Sequence, residues 1–239
     1  MMRKTTISCL LLGLLVLCGC DSDKKKPYGS EMGLSLPGGA KRIWAVAPAI
    51  DLSGQKGVDP LLQADMVYKE LQEVAGLTVI PVNKVANVYY AMRIERVQSE
   101  EQALTVCEQL GCDGLLVPTI TAFDPYNPPK FGASLQVFQK LQYGADTAGV
   151  NPRELARQSA PTTDPIRGLP TNPRMLQAVG MFDAANGSVR ASLDQYAAGR
   201  ADPNGPYAQR EYLVNMERYC QFVYHQLIEE LLKSVPPGR

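Results

Sequence analysis

Apolar positions recur with two different periods along the chain, and the two periods predict an alternating series of strands and helices. Short, almost entirely apolar runs predict strands that are covered on both faces. Longer stretches with an apolar residue at every third or fourth position predict helices with one buried side. The predicted elements are, in chain order, a strand over 42–51, a helix over 60–76, a strand over 77–82, helices over 84–96 and 100–111, strands over 114–123 and 131–141, a hairpin over 175–193 and a helix over 207–234.

Capping and turn residues set the predicted ends of these elements. Asp59, Asn83 and Ser99 are expected to cap the first three helices, because their side-chain oxygens accept from free N–H groups of a first turn. Gly111 suits the left-handed position that ends a helix. Asn186-Gly187 is the strongest short hairpin signal, which is why two strands are predicted around it.

The order of these elements predicts one domain of the α/β (α+β) class, with a mixed β-sheet, flanking helices and a long C-terminal amphipathic helix. The alternating residues 131–141 predict an antiparallel strand beside buried parallel ones. Residues 143–174 are rich in Pro, Gly, Thr and Asp and are predicted to be a disordered insertion. The domain is expected to span residues 41–239.

Residues 1–19 are predicted to be a secretory signal peptide. Arg3 and Lys4 precede an apolar run over residues 9–17, and a fully polar segment follows the run. The run is too short to cross a bilayer, which takes about 20 apolar residues. Residues 20–40, rich in Gly, Pro and Ser, are predicted to begin the mature chain as a flexible tether.

The segment Leu17-Cys18-Gly19-Cys20 resembles the lipobox of bacterial lipoproteins. The resemblance implies that Cys20 is lipidated and becomes the first mature residue. Two or more acyl chains, such as palmitate, anchor a protein stably without a membrane span. Asp21 resembles an inner-membrane retention signal, but that rule differs between bacterial groups. The expected location is the periplasmic face of the inner or the outer membrane.

Charge argues against a nucleic-acid partner. The whole chain has 24 cations and 24 acids, and without Arg3 and Lys4 the mature part carries two more acids than cations. A nucleic-acid-binding domain needs a clear excess of basic residues. The sequence therefore predicts partners of another class.

Three cysteines remain after processing and lipidation, namely Cys107, Cys112 and Cys220. Cys107 and Cys112 are close enough for a local bridge in an oxidising compartment, and buried free thiols are the other interpretation. His225 is the only histidine, so neither a zinc site nor a cofactor is predicted.

No catalytic residues are predicted. The chain lacks a Gly-x-Ser-x-Gly nucleophile motif. His225 is interpreted as a packed or surface residue of the last helix. Asp113 is expected to bond backbone amides before a buried strand, and Asp183 is expected to shape the predicted hairpin.

An aromatic and proline-rich turn is the one candidate contact site. Tyr126, Pro128 and Pro129 lie between two predicted strands, and Phe131 follows them. Such a tip either docks a protein partner or serves as a rigid turn, and the sequence leaves both interpretations open.

Four segments carry a resemblance to a known group of proteins. They are Ile43-Trp44-Ala45-Val46-Ala47-Pro48, Gly76-Leu77-Thr78-Val79-Ile80-Pro81, Leu110-Gly111-Cys112-Asp113-Gly114-Leu115-Leu116-Val117, and Phe182-Asp183-Ala184 through Gly187-Ser188-Val189. In this order they are similar to envelope lipoproteins related to the curli-secretion lipoprotein, to penicillin-binding-protein activators, and to the N-terminal domain of the Tol-system propeller protein. Tyr196-Ala197-Ala198-Gly199-Arg200 resembles more closely a set of uncharacterised planctomycete-type lipoproteins. The resemblance implies no shared catalytic residues.

Two functions from different classes follow from these patterns. The first is a lipid-anchored, non-enzymatic envelope protein that binds a protein partner within an assembly or secretion complex; self-association is left open. The second is an envelope hydrolase acting on cell-wall or polysaccharide material, with carboxylates brought together from distant segments. Binding of a small ligand under the insertion over 143–174 is a third hypothesis.

Replacing Cys20 by Ser is expected to move the protein from the membrane fraction to the soluble envelope fraction, because the lipid anchor is lost. Fractionation and immunoblotting measure this shift. Cys18→Ser is the matched control, since Leu17 before it is not a small residue. Unchanged membrane partition of the Cys20→Ser protein would place the anchor elsewhere.

Overall fold

The computed structural model describes residues 33–140, 175–198, 200–202 and 204–236. The predicted signal peptide, most of the predicted tether and the predicted insertion over 143–174 lie outside these residues. The described residues form an α/β fold, in which one open sheet of six strands carries helices on both faces. This architecture confirms the predicted fold class.

The sheet is parallel in one half and antiparallel in the other. The strands are β1 (Arg42–Val46), β2 (Ile50–Asp51), β3 (Leu77–Ile80), β4 (Gly114–Asp124), β5 (Lys130–Gln139) and β6 (Met175–Asp183). Their order in the sheet is β3-β1-β4-β5-β6, and β2 pairs with β4 beyond the end of β1. Strand β1 runs parallel to β3 and β4, whereas β5 runs antiparallel to β4 and β6.

Two hydrophobic cores lie on opposite faces of the sheet. The helices that cover them are α1 (Pro60–Gln72), α2 (Val82–Met92), α3 (Glu100–Leu110), α4 (Gly187–Ala198), α5 (Glu211–Val214) and α6 (Met216–Lys233). Trp44 and Val46 of β1 face the larger core, which α1, α4 and α6 cover. Ala45 of the same strand faces the smaller core under α2 and α3, as the alternation of a strand requires.

Aromatic rings join α6 to the antiparallel half of the sheet. The rings of Tyr224 and Phe131 meet edge to face at 5.4 Å, and those of Phe222 and Phe182 at 6.0 Å. Edge-to-face pairs add about 0.5–1.5 kcal/mol to the free energy of area burial. These contacts orient α6 over β5 and β6.

Several predicted ends are confirmed. Asp59 accepts hydrogen bonds from two N–H groups in the first turn of α1. Ser99 Oγ accepts from the first turn of α3, and that helix ends at Gly111, whose φ is +67°. The strand predicted over 42–51 is divided into β1 and β2 around Pro48, which has no N–H to donate.

The predicted hairpin over 175–193 is wrong in its second half. Strand β6 ends at Asp183, and α4 follows instead of a second strand. Asn186 accepts from the backbone N–H and the hydroxyl of Ser188, so it begins a helix rather than a hairpin turn. Asparagine suits a helix start as well as a tight turn. The apolar residues after Asn186 have helical spacing, so the segment forms a helix and not a second strand. They are Val189, Leu193, Tyr196 and Ala197.

Two further helix predictions need correction. The helix predicted over 207–234 is broken at Asn215, whose side chain accepts from two backbone N–H groups and starts α6. A 3-10 turn and the short α5 precede it. Helix α2 begins at Val82, before the expected cap Asn83, and ends at Met92.

The folded domain begins before residue 41, which shortens the predicted tether. Leu36 is buried in the larger core. Its backbone N–H donates to the oxygen of Ala75 at 3.0 Å, and the N–H of Ala75 donates to Leu34 at 2.8 Å. The described chain therefore starts beside β3.

Asp113 links three strands, as expected for a residue that bonds backbone amides. Its Oδ2 accepts from the N–H of Ile43 at 2.8 Å, and its own N–H donates to the Ile43 oxygen at 2.7 Å. Its carbonyl oxygen accepts from the N–H of Lys140 at 2.9 Å. The turn between α3 and β4 is thereby tied to β1 and to the end of β5.

Replacing Asp113 by Ala is expected to lower the free energy of unfolding by about 1–2 kcal/mol, because the N–H of Ile43 loses a charged acceptor. Urea denaturation measures the change. Asp113→Asn keeps an acceptor oxygen and is expected to lose less. Equal midpoints for Asp113→Ala and the unchanged protein would show that this bond contributes nothing.

Candidate functional site

The lipidation site Cys20 and the sorting residue Asp21 lie outside the described residues. Their roles therefore stay predictions. None of the helices in the described part of the chain is long and apolar enough to cross a membrane. The same residues hold no cluster of His, Cys, Asp or Glu suited to a metal ion.

The aromatic and proline-rich turn between β4 and β5 is only partly exposed. The side chain of Tyr126 is 81% exposed, and Pro128 is exposed as well. Pro129 is buried, and Phe131 lies in the core between the rings of Phe123 and Tyr224. Phe131 is thus a core residue rather than a docking residue, because it belongs to the inward-facing row of β5.

Strand β6 forms an edge of the sheet. All nine of its residues pair with β5, and none of the described residues pairs with its other side. Val179 and Met181 point away from the larger core and are 64% and 62% exposed. The strand contains no proline, and its one charged residue is its last, Asp183. Apolar side chains and open backbone groups therefore lie together along this edge.

The turn and the edge strand meet at the same end of the sheet. Lys130 pairs with Asp183 in the β5–β6 register, and Lys130 Nζ lies 3.0 Å from Asp183 Oδ2. The N–H of Ala184 donates to the oxygen of Pro129 at 3.0 Å. Hydrogen bonds from the N–H of Ala185 and from Lys130 lower the pKa of Asp183. Asp183 therefore bonds the turn that leads into α4, and not the hairpin that the sequence predicts.

A cluster of polar side chains lies inside the core between α1, α4 and α6. Glu70 is only 5% exposed and His225 only 2%. The hydroxyl of Tyr196 donates to Glu70 Oε1 at 2.9 Å, and His225 Nδ1 lies 3.3 Å from Glu70 Oε2. His225 is therefore a packed residue, one of the two interpretations of the sequence.

Tyr196 is the donor in its bond with Glu70. Burial and the Glu70 carboxylate raise the pKa of Tyr196, so the phenol keeps its proton and donates. The contact between His225 Nδ1 and Glu70 Oε2 uses one ring nitrogen of the histidine. His225 Nε2 is left without a hydrogen-bond partner among the described residues. A buried polar atom of this kind calls for a partner.

Arg200 packs against the outer side of the cluster. Its guanidinium lies 4.2 Å from the centroid of the Tyr196 ring, and its Nη2 lies 2.6 Å from Glu73 Oε2. Arginine over an aromatic face is attracted by the electron-rich ring. This contact holds Tyr196 from the side opposite the core.

A second polar contact joins α1 and α6. The hydroxyl of Tyr224 donates to Gln63 Oε1 at 2.7 Å, and Gln63 Nε2 lies 3.9 Å from Cys220 Sγ. Burial raises the pKa of the Cys220 thiol to about 12. Gln63 and Glu70 thus fix how the two helices lie against each other.

Sequence reasoning missed this cluster. Gln63 and Glu70 lie seven residues apart, a helical spacing, on the apolar side of α1. Two polar residues within an apolar stripe were the available signal. Their partners on α4 and α6 lie more than 120 residues away in sequence.

Cys107 and Cys112 are buried free thiols. Helix α3 ends in a Schellman motif: the N–H of Cys112 donates to the Cys107 oxygen at 3.0 Å, and that of Gly111 to Glu108 at 3.3 Å. The motif places the two thiols side by side. The Cys107 thiol donates to the Phe138 oxygen at 3.9 Å. The neighbouring Cys112 thiol and burial raise the pKa of Cys107, and the Cys107 thiol lowers the pKa of Cys112.

Two hollows accompany these features. One of about 310 Å³ is lined by His225, with side chains of α4 and α6. A wider one of about 750 Å³ lies around α5, with Asp202, Glu211 and Glu217 in its wall. Glu211 is paired with Arg218 at 3.3 Å. His225 thus belongs both to the buried cluster and to a cavity wall.

Comparison with known proteins finds distant structural likeness only. No protein-family model and no curated protein matches the sequence. A hypothetical protein, CT253 from Chlamydia trachomatis, is similar at a TM-score of 0.38 and 12% identity, over 82% of this chain and 98% of that one. Lipoprotein GNA1162 from Neisseria meningitidis is similar at a TM-score of 0.34 and 13% identity, over 49% of this chain and 91% of that one. The LpoB C-terminal domain from Escherichia coli is similar at a TM-score of 0.33 and 10% identity, over 42% of this chain and 73% of that one.

One of these neighbours, GNA1162, is named as a lipoprotein. None of the three reaches a TM-score of 0.5. They therefore carry no argument about what this chain binds or does.

Replacing Glu70 by Ala is expected to lower the free energy of unfolding by about 3 kcal/mol, because two buried donors lose their acceptor. Thermal or urea denaturation measures the loss. Gln72→Ala, on the exposed side of the same helix, is the control and is expected to change stability by about 0.5 kcal/mol or less. Similar small effects for both variants would show that the cluster is not a structural tie.

Proposed function

We propose that this protein is a lipid-anchored component of the bacterial cell envelope that binds a protein partner and carries out no reaction of its own. The observation that carries the proposal is the outer edge of β6, which pairs with none of the described residues and has no charged residue before its last, with Val179 and Met181 exposed on it. Tyr126 and Pro128 extend this region at the end of the strand. These four residues are called the docking surface below.

An open strand edge is suited to receive an extended segment of another protein. Its free N–H and C=O groups bond an added strand, and alternate side chains select the sequence. Natural proteins usually protect such edges with lysine, proline or a covering element. Strand β6 has no lysine and no proline. Its edge therefore supports binding of an extended peptide from an envelope protein, or of β6 from a second copy.

The position of the edge agrees with an anchor at Cys20. The described chain begins beside β3, at one edge of the sheet, and β6 forms the other edge. Four strand spacings of about 4.8 Å separate β3 from β6, about 19 Å in all. A chain tethered near β3 would keep the docking surface on the side away from its point of attachment.

The hydrolase hypothesis gains no support from the described residues. Two of the acids around the wider hollow already have partners: Asp202 Oδ1 accepts from the N–H of Asn204, and Glu211 pairs with Arg218. Glu70 is buried with its two oxygens facing Tyr196 and His225. A binding role therefore agrees better with the geometry.

Photocrosslinking in the cell envelope tests the proposal. A photoreactive residue at the exposed Gln177 of β6 is expected to give a discrete crosslinked product, identified by mass spectrometry. The doubly substituted Val179→Lys and Met181→Lys protein is expected to lose at least about 90% of that product, because charge opposes strand addition. Stability should change by about 0.5 kcal/mol or less, since both side chains are exposed.

Leu52→Lys supplies the matched control. Leu52 is 62% exposed, like Met181, but it follows β2 on the side of β4 opposite to β5. This variant is expected to retain the crosslink. No discrete product from Gln177, or an equal loss in the Leu52→Lys protein, would contradict docking at β6.

A further inference from the structure

The turn between α3 and β4 brings two cysteine side chains together. In the Schellman motif that ends α3, the N–H of Cys112 donates to the Cys107 oxygen at 3.0 Å. A side-chain contact between the residues at these two positions commonly accompanies the motif. Here the pKa values of the two thiols shift in opposite directions, because each thiol lies against the other. A disulfide requires such an approach, since its Cβ atoms lie about 3.5–4.5 Å apart.

The surroundings of the pair leave each cysteine one possible partner. Cys107 and Cys112 both belong to the smaller core, whereas Cys220 lies in the larger core on the other face of the sheet. In the structure all three are free thiols, so the pair is described in its reduced form. A thiol is a weak hydrogen-bond donor, and the Cys107 thiol has only the long contact of 3.9 Å with the Phe138 oxygen. Joining the two sulfurs therefore sacrifices little hydrogen bonding.

The position of the pair in the sequence determines when such a bond can form. Five positions separate Cys107 from Cys112, so the bond closes a local loop and needs no distant segment in place. In the folded domain the two residues are 0% and 2% exposed, and a macromolecular oxidant cannot reach their sulfurs. Oxidation therefore belongs to the newly exported chain, before β4 packs against α3. Once the domain has folded, the same burial protects the bond from reductants.

We propose that Cys107 and Cys112 are joined by a disulfide in the exported protein, made by exchange with the disulfide of an envelope thiol oxidoreductase. The thiolate of one cysteine attacks that disulfide, forms a mixed disulfide and releases one oxidoreductase thiol. The thiolate of the other cysteine then attacks the sulfur of the first and releases the second oxidoreductase thiol. The pair loses two electrons and two protons, and the oxidoreductase gains them.

The proposal rests on the export that the proposed function assumes, because disulfides persist in oxidising compartments and are rare in the cytosol. It does not rest on the docking surface. The pair lies between α3 and β4, and the docking surface lies on β6 and on the turn between β4 and β5. Loss of one leaves the other testable.

Differential alkylation of the full-length protein in its own envelope tests the proposal. Cells are quenched in acid and denatured, free thiols are blocked with N-ethylmaleimide, and disulfides are then reduced and labelled with iodoacetamide. Trypsin cuts after Arg96 and Lys130 and nowhere between them, so one peptide, 97–130, contains both cysteines. This peptide is expected to carry two iodoacetamide labels. Two N-ethylmaleimide labels on it would overturn the proposal.

Cys220 is the internal control for the labelling chemistry. It lies in the separate tryptic peptide 219–233, and it is expected to carry N-ethylmaleimide because it has no cysteine within reach. Cys112→Ser supplies the matched variant, in which Cys107 is expected to change from iodoacetamide to N-ethylmaleimide. Retention of the iodoacetamide label on Cys107 in that variant would assign its partner elsewhere and overturn the pairing.

Refolding of the purified chain separates the bond from the export. The reduced, unfolded protein is refolded in a mixture of reduced and oxidised glutathione, and the same two peptides are analysed. Peptide 97–130 is expected to carry the bond and Cys220 to stay free. Free thiols at both positions would overturn the bond itself. A bond in the refolded protein with free thiols in the cell would overturn the proposal through its premise of export, which fractionation of the Cys20→Ser protein checks independently.

Discussion

Burial of helix α6 between the sheet and α1 is the interaction on which the rest of this structure depends. Ten of its eighteen residues are buried, and nine of these belong to the larger core. Apolar burial provides the free energy, at about 25 cal/mol per Å². The polar contacts of Tyr224 with Gln63 and of His225 with Glu70 determine how the two helices are aligned, because each satisfies a buried group at one position only.

Local sequence patterns were sufficient to predict much of the fold. Asp59, Ser99 and Gly111 mark helix ends through bonds to neighbours a few residues away, and such signals are readable in the sequence. Asn186 is compatible with both a hairpin turn and a helix start, so the choice depended on packing against α6. The bond between Glu70 and His225 joins residues 155 positions apart, and no local pattern reveals it.

The two faces of the sheet are covered unequally in the described part of the chain. Helices α1, α4 and α6 lie over one face along its whole width, as the residues of the larger core show. Helices α2 and α3 cover the other face mainly over the parallel strands. Val179 and Met181 are exposed because they lie on the uncovered half. The larger core therefore lies on one face of the sheet, and the exposed apolar side chains of β6 lie on the other face.

The separation of the chain start from β6 has a mechanical consequence. The described chain begins beside β3, and β6 lies at the opposite edge of the sheet. A pulling force applied between these two places acts across the strands, along the direction of the ladder hydrogen bonds. Such a load opens the ladder bond by bond, whereas a load along the strands must shear many bonds at once. If the proposed complex forms on β6 while the chain is held near β3, it is therefore suited to positioning rather than to bearing tension.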